Sequence, residues 1–298
     1  PTLTQCLDSN GQNIRILYHG SNCWSSLKRA AGRISYADDA VTKRLEKGVS
    51  NLIHHNTSSF LRFVERFIAG ENVHKVEDNK TYAIMLYYAL FQDKLSKTGY
   101  SSINEALELV HSPKYTYFKQ EIAEIVSFLL ARLDIKTTPI GAEIISGLEL
   151  YGCYTREEVF TLVGRQTAEV KMQGAASGAF NLPEHNAVLL FVTLNKSEKD
   201  FSPSTQYNDY LINEEYFHWQ SKNTDSHYNS GGRKYVEQAK TGMKVILFVR
   251  EEKKDGFGNT SPFHCFGLVD YVSSHDDFPM NVKWKLQKPA MAQYLKAI

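Results

Sequence analysis

The apolar residues of this chain change period near residue 152, and that change limits the folds open to it. Before it, Val49, Leu52 and Ile53 lead into Phe60, Leu61, Val64, Phe67 and Ile68. Steps of three and four are the signature of one helix face. After it come short apolar blocks: Ala187–Leu194, Lys244–Arg250, Phe263–Val272 and Asn281–Leu286. A block of that length bounded by turn residues reads as a strand. A helix repeats about every 3.6 residues and a strand every 2, so neither pattern can serve the other element. The expected fold is therefore α+β, with a helical domain over residues 1–152 and a β-rich domain over 153–298. Several strands packed into the second half predict a bent or barrel-like sheet.

Within the helical half, Tyr82 to Phe91 is apolar nearly all round, which places it at the centre of a bundle. Cys23 to Ala31 reads as a helix closed by Gly32, and Lys119 to Leu133 as another with Ile122, Ile125, Val126, Leu129 and Leu130 on one face. Two capping boxes are expected, Ser102 with Glu105 and Thr155 with Glu158. His54 and His55 sit in or beside these helices. As helical neighbours they would point to different faces, which makes them a poor metal pair.

In the strand half, Asn281–Leu286 alternates, with Val282, Trp284 and Leu286 inward and Lys283 and Lys285 outward. Phe217 to Lys222 alternates too. Phe217 and Trp219 share the face expected to be core, while His218, Gln220 and Lys222 share the other. Tyr207, Asn208, Asp209 and Tyr210 come just before. An amide beside an imidazole and an ammonium can read a base edge or hold a phosphate.

Composition narrows the function classes. Lys and Arg number 34 against 33 Asp and Glu, a formal charge of +1, so any basic binding face must be local. Cys6, Cys23, Cys153 and Cys265 form no CxxC pair. Reduced thiols of a cytoplasmic protein are the expectation, with neither a disulfide framework nor a zinc site. No apolar run approaches the ~18 residues of a membrane span. The start, Pro1-Thr2-Leu3, lacks an initiator Met and a signal-peptide pattern, which suggests a fragment or a processed chain. Without a Walker A pattern this stretch is not expected to hydrolyse ATP.

Several stretches bear a family likeness. Phe191 to Glu198, Phe201 to Tyr210 and Phe217 to Ser221 resemble the C-terminal domain of unknown function carried by bacterial superfamily-two, DEAD/DEAH-type helicases. Leu247–Glu251, Phe266-Gly267, Tyr271, His275, Pro279-Met280 and Trp284–Leu286 continue the match. The first half resembles the helical segment that follows the motor there, notably at Ile16–Tyr18, Trp24–Gly32 and Met85–Phe91. The resemblance implies a restriction or phage-defence setting, with a helicase motor and a possible phospholipase-D-like nuclease domain in the parent chain.

Three functions follow as expectations. The first is a non-catalytic DNA reader of the PUA/SRA/EVE kind, taking a flipped or modified base between aromatic faces and amides. Tyr207, Asn208, Asp209, Tyr210, His218, Trp219, Gln220 and Ser221 would form its surface; Lys222, Arg233, Lys234 and Arg250 would hold flanking phosphates. The second is an Mrr-like Mg²⁺-dependent nuclease using Asp209, Gln220 and Lys222. The third is a protein–protein docking module of a defence complex. DNA is the expected partner, with no membrane and no cofactor.

Overall fold

A computed structural model describes residues 2–10, 13–20, 22–141, 144–172, 178–196 and 208–295. Two compact units emerge. One comprises Pro1–Thr137, Cys153–Gly174 and Gly256–Asn259, the other Thr138–Gly152, Ala175–Asp255 and Thr260–Ile298. The protein is mixed α and β, with helices in its N-terminal half and a β-rich C-terminal sheet.

The helical unit contains α1 (Trp24–Ala30), α2 (Ala40–Gly48), α3 (Ser58–Ile68), α4 (Lys80–Phe91), α5 (Thr116–Leu130) and α6 (Arg156–Leu162) among its helices. Helix α4 is buried from Ala83 to Phe91 and packs against α2, α3 and α6, the central place its all-round apolar sequence predicts. Gly48, at the end of α2, meets the backbone of Leu90 so closely that a Cβ would overlap it. A buried carboxylate ties the remaining helices together. Glu121 of α5 accepts hydrogen bonds from the Tyr18 hydroxyl (2.8 Å) and from the N–H groups of Trp24 (2.7 Å) and Ser25 (2.8 Å). It thereby satisfies the first free amides of α1. The Thr155–Glu158 capping box forms as expected. At Ser102 only half of one forms: the hydroxyl accepts from Glu105 N–H, while the Glu105 carboxylate takes the N–H of Ser101 instead.

The β unit contains β1 (Ala179–Leu182), β2 (Ala187–Asn195), β3 (Tyr210–Leu211), β4 (Tyr216–Gln220), helix α7 (Ser230–Val236), β5 (Lys244–Glu252), β6 (Phe263–His275) and β7 (Asn281–Leu286). Their order across the sheet is β1-β2-β5-β6-β7-β4-β3. Strands β2 and β5 are parallel and every other pair is antiparallel. Val188–Val192 and Val245–Val249 are buried throughout, which is why these runs are continuously apolar rather than alternating. Among the described residues nothing pairs β1 with β3, so the sheet is open rather than a closed barrel. Its pairing shifts between Leu247 and Phe248 and between Lys283 and Trp284. Such bulges bend strands and increase twist. Gly267 takes a φ of +77° at the first shift, a conformation open to glycine at little cost.

Strands β4 and β7 alternate as their sequences predict. Phe217, Trp219, Val282, Trp284 and Leu286 are buried, and Lys285 is exposed. Trp284 is wholly buried beneath three other rings: Trp219 (6.3 Å between centroids), Tyr235 of α7 (5.9 Å) and Tyr271 (6.2 Å). Helix α7 starts at its N-cap Asn229, whose side chain accepts from Gly232 N–H. A Cβ on Gly232 would overlap Met280 Sδ and Ser226 O, so only glycine lets the helix sit this close. Among the described residues no helix is long and apolar enough to cross a membrane.

The ring cluster yields a paired prediction. Trp284→Ala opens a large cavity and should cost about 3–5 kcal/mol. The Tyr235 hydroxyl is buried with no hydrogen-bond partner among the described residues. Tyr235→Phe should therefore be neutral or slightly stabilising, since it removes an unsatisfied polar atom and keeps the ring. Urea unfolding of both variants, followed by near-UV circular dichroism, measures the contrast.

Candidate functional site

The outward face of β3, β4, β7 and β6 follows from strand register. Tyr210 pairs with His218, His218 with Lys283, and Lys283 with Ser273. Directly opposed residues in antiparallel strands share a face, so these four side chains form one row across four strands. A second row runs Gln220, Asn281, His275, and a third Tyr216, Lys285, Asp270. Every residue of the three rows is exposed or half-buried. The reverse face of β4 and β7 carries the Trp284 cluster.

The chemistry of this face is aromatic, amide and basic. Tyr210 is 43% exposed and its ring stacks on His218, 4.6 Å between centroids and 13° between planes. His218 Nδ1 lies 2.8 Å from the backbone oxygen of Asn208. A carbonyl only accepts, so Nδ1 carries the proton and Nε2 of a neutral ring is left as the acceptor. The Lys283 ammonium lies 4.3 Å from the Tyr216 ring centroid. The amides run in series. Gln220 Oε1 accepts from Asn208 N–H at 2.7 Å, Gln220 Nε2 donates to Asn281 Oδ1 at 2.9 Å, and Asn281 Nδ2 donates to Asp276 Oδ2 at 3.0 Å.

Asp209 anchors the segment that brings Asn208 and Tyr210 here. Its side chain is 4% exposed, 2.7 Å from Lys196 Nζ, and accepts from Gln220 N–H at 2.8 Å. Burial pushes the Asp209 carboxyl above its ordinary value, while Lys196 and the Gln220 amide pull the other way. Beside the rows, a second network joins two loops. His227 Nδ1 lies 2.9 Å from Asp277 Oδ1, and His227 Nε2 lies 2.7 Å from Ser274 Oγ. Ser274 Oγ is also 2.7 Å from the Tyr271 hydroxyl. The backbone N–H and ring of His227 hold the Asp277 carboxyl below its usual range. Asp276 and Phe278 have φ values of 58° and 61°, strained for residues with a side chain. This loop exposes Phe278 (59%), and the facing loop exposes Tyr228 (86%).

Comparison with known proteins supports a C-terminal domain of unknown function. The family model of a domain of unknown function, DUF3427, matches residues 148–297, half of the chain. The chain belongs to the DUF3427 family. No curated protein matches it.

The predicted site residues of this DUF3427 protein divide into three groups. Asn208, Tyr210, His218 and Gln220 come together on the outward face, with exposed Lys222 just beyond the end of β4. Trp219 and Ser221 lie inside, and so does Asp209, which was expected on the binding surface but is buried against Lys196. Trp219 packs 5.1 Å from Tyr235; Ser221 hydrogen-bonds both backbone groups of Met280, its N–H to Met280 O and its Oγ from Met280 N–H. The third group is elsewhere. Arg233 and Lys234 belong to α7, where Arg233 faces Glu237 at 3.9 Å and Lys234 donates to Asn181 Oδ1 at 2.7 Å. Arg250 is 8% exposed, donating to Thr193 Oγ1 and Ser261 O and lying 4.3 Å from the Phe263 ring centroid. Tyr207 lies outside the described residues.

Asn281, Lys283, Lys285 and Tyr216 join the face although sequence reasoning left them out of the site. The alternation of Asn281–Leu286 already showed Lys283 and Lys285 to be outward. Only the pairing of β7 with β4 places them beside His218.

The buried pair gives a test of how the DUF3427 face is held. Lys196→Met leaves the Asp209 charge uncompensated and should destabilise by about 3–5 kcal/mol at neutral pH. With Lys196 gone, the folded-state pKa of Asp209 rises further above that of the unfolded chain. The unfolded state then loses its proton first as pH rises, and the deficit grows with pH. It should shrink as pH falls toward the ordinary carboxylate range, which urea unfolding across that range would report. A deficit independent of pH would count against this account.

Proposed function

We propose that this protein binds DNA through the outward face of β3, β4, β7 and β6, as a non-catalytic target-recognition module. The observation that carries the reading is the row Tyr210, His218, Lys283, Ser273, with Gln220 and Asn281 alongside. An exposed ring stack offers a π surface to a base, the amides offer donors and acceptors to its edge, and Lys283 and Lys285 offer charge to the backbone. A formal charge of +1 over the chain is compatible with this, because a local pair of lysines on β7, Lys283 and Lys285, is enough to present charge on this face.

In this reading the β unit does with an open sheet what barrel-like PUA, SRA or EVE modules do with a closed one, and a flipped or modified base seats against the Tyr210–His218 stack. The resemblance supplies the setting: a restriction- or phage-defence helicase of the bacterial cytoplasm, whose motor and possible nuclease domain act on DNA this module selects. The Mrr-like alternative draws no support from the geometry, since both Asp209 oxygens are engaged by Lys196 and Gln220 N–H.

Fluorescence anisotropy with single-stranded, duplex and base-modified oligonucleotides tests the proposal. Binding should weaken with salt, and Lys283→Gln and Lys285→Gln should each lower the salt slope by about 1. Tyr210→Ala and His218→Ala should each cost roughly 1–3 kcal/mol if a base stacks there. Gln220→Ala should cost about 1–3 kcal/mol of discrimination between bases rather than overall affinity. No binding to any oligonucleotide at low salt would replace this reading with the docking module. Mg²⁺-dependent cleavage lost in Lys222→Gln would replace it with the nuclease.

A further inference from the structure

We propose that His54, His55 and Glu158 hold a divalent transition-metal ion of the zinc class within the helical unit. The three form a group of metal-ligating side chains whose donor atoms all lie within 4.8 Å of one another. Their convergence has a local cause. The capping box at the start of α6 folds the Glu158 carboxylate back toward Thr155, whose N–H donates to Oε2 at 2.8 Å. His54 and His55 are not helical neighbours as expected, but lie in the turn between the 3-10 segment Val49–Leu52 and α3. Freed from helical geometry, both rings face the same carboxylate, with centroids 4.2 Å apart.

The spacings fit an ion. His54 Nε2 is 2.9 Å from Glu158 Oε2 and His55 Nε2 is 3.2 Å from Oε1. Two ligand atoms about 2.0–2.1 Å from a tetrahedral metal lie about 3.3 Å apart, so an ion needs only a small opening of these contacts. Two imidazoles and one carboxylate suit zinc, cobalt or iron(II), whereas magnesium and calcium prefer oxygen alone. The second indication is the environment of His55. The His55 side chain is 1% exposed, and neither of its ring nitrogens makes a well-aligned hydrogen bond to a described residue, the 3.2 Å approach to Glu158 included. A buried imidazole whose one polar contact is a poorly aligned carboxylate has capacity for a further partner, and a metal at Nε2 would be one.

Two of the three ligands are also reachable from a cavity. His54 and Glu158 line a cavity of about 280 Å³ that is bordered by Lys47, Asn51, Gln92 and Thr161. Three protein ligands beside an open cavity leave further coordination positions to water or a small anionic ligand, the pattern of a reactive rather than a sealed structural site. Thr155 N–H fixes the carboxylate from behind, as outer partners of metal ligands do.

The test uses the whole chain, stripped with EDTA and titrated calorimetrically with zinc chloride. One zinc per chain, bound at micromolar affinity or tighter and not displaced by excess magnesium, is the expected result. His54→Gln and Glu158→Gln should each weaken binding at least ~10-fold while far-UV circular dichroism keeps the helical signal. Cobalt(II) loaded into the unmodified chain gives a reading that needs no variant. It should show visible d–d bands without a thiolate charge-transfer band, which separates this site from any built on Cys153. No zinc binding at micromolar concentration, a thiolate band with cobalt, or unchanged zinc affinity in folded His54→Gln would each overturn the proposal.

Discussion

Burial of Trp284 is the constraint on which the β unit depends. With Trp284 packed among Trp219, Tyr235 and Tyr271, the two faces of β4 and β7 are no longer interchangeable. A shift of one residue in either strand would turn its apolar set to water and its polar set to the core. The free energy that sets the register of these strands therefore also turns His218, Gln220, Lys283 and Lys285 outward. The candidate interface is the reverse side of a hydrophobic core, and its order is inherited from that core.

Polar groups complete what the rings begin. Ser221 and Met280 exchange hydrogen bonds at the end of the β4–β7 pair, and Asp209 joins Lys196 to the Gln220 amide. Each is buried, so each must be satisfied or exact a penalty of a few kcal/mol. This fixes the segment bearing Asn208 and Tyr210 against β4. The half-buried amides of this face also hydrogen-bond one another, so a base contacting Gln220 would exchange its partners rather than find them empty. Specificity at such a site is a difference between two sets of hydrogen bonds.

The helical unit uses buried carboxylates in a parallel way. Glu121 gathers Tyr18 and the start of α1, and Glu158 gathers His54, His55 and the start of α6. At Glu121 the donors are two backbone amides and a phenol, and the arrangement is closed. At Glu158 two imidazoles join the Thr155 N–H, and one of them remains without an aligned hydrogen bond. The difference in partner chemistry makes the first a structural joint and the second a candidate ion site.

Much of the fold was legible because periodicity reports burial directly. The central place of α4, the strands β2, β5, β6 and β7, and the outward lysines of β7 all follow from which residues avoid water. Local chemistry was legible too, since the Thr155–Glu158 capping box needs residues only three apart. Relations between segments distant in sequence were not legible. Nothing in the sequence pairs Lys283 with His218, buries Arg250 against Thr193, or turns both adjacent histidines onto Glu158. The open order of the sheet, where a barrel-like one was expected, depends equally on which strands meet. Apolar pattern determines which face of an element is buried. Only tertiary packing decides which elements meet, because that choice rests on shape and hydrogen-bond satisfaction between segments the chain brings together last.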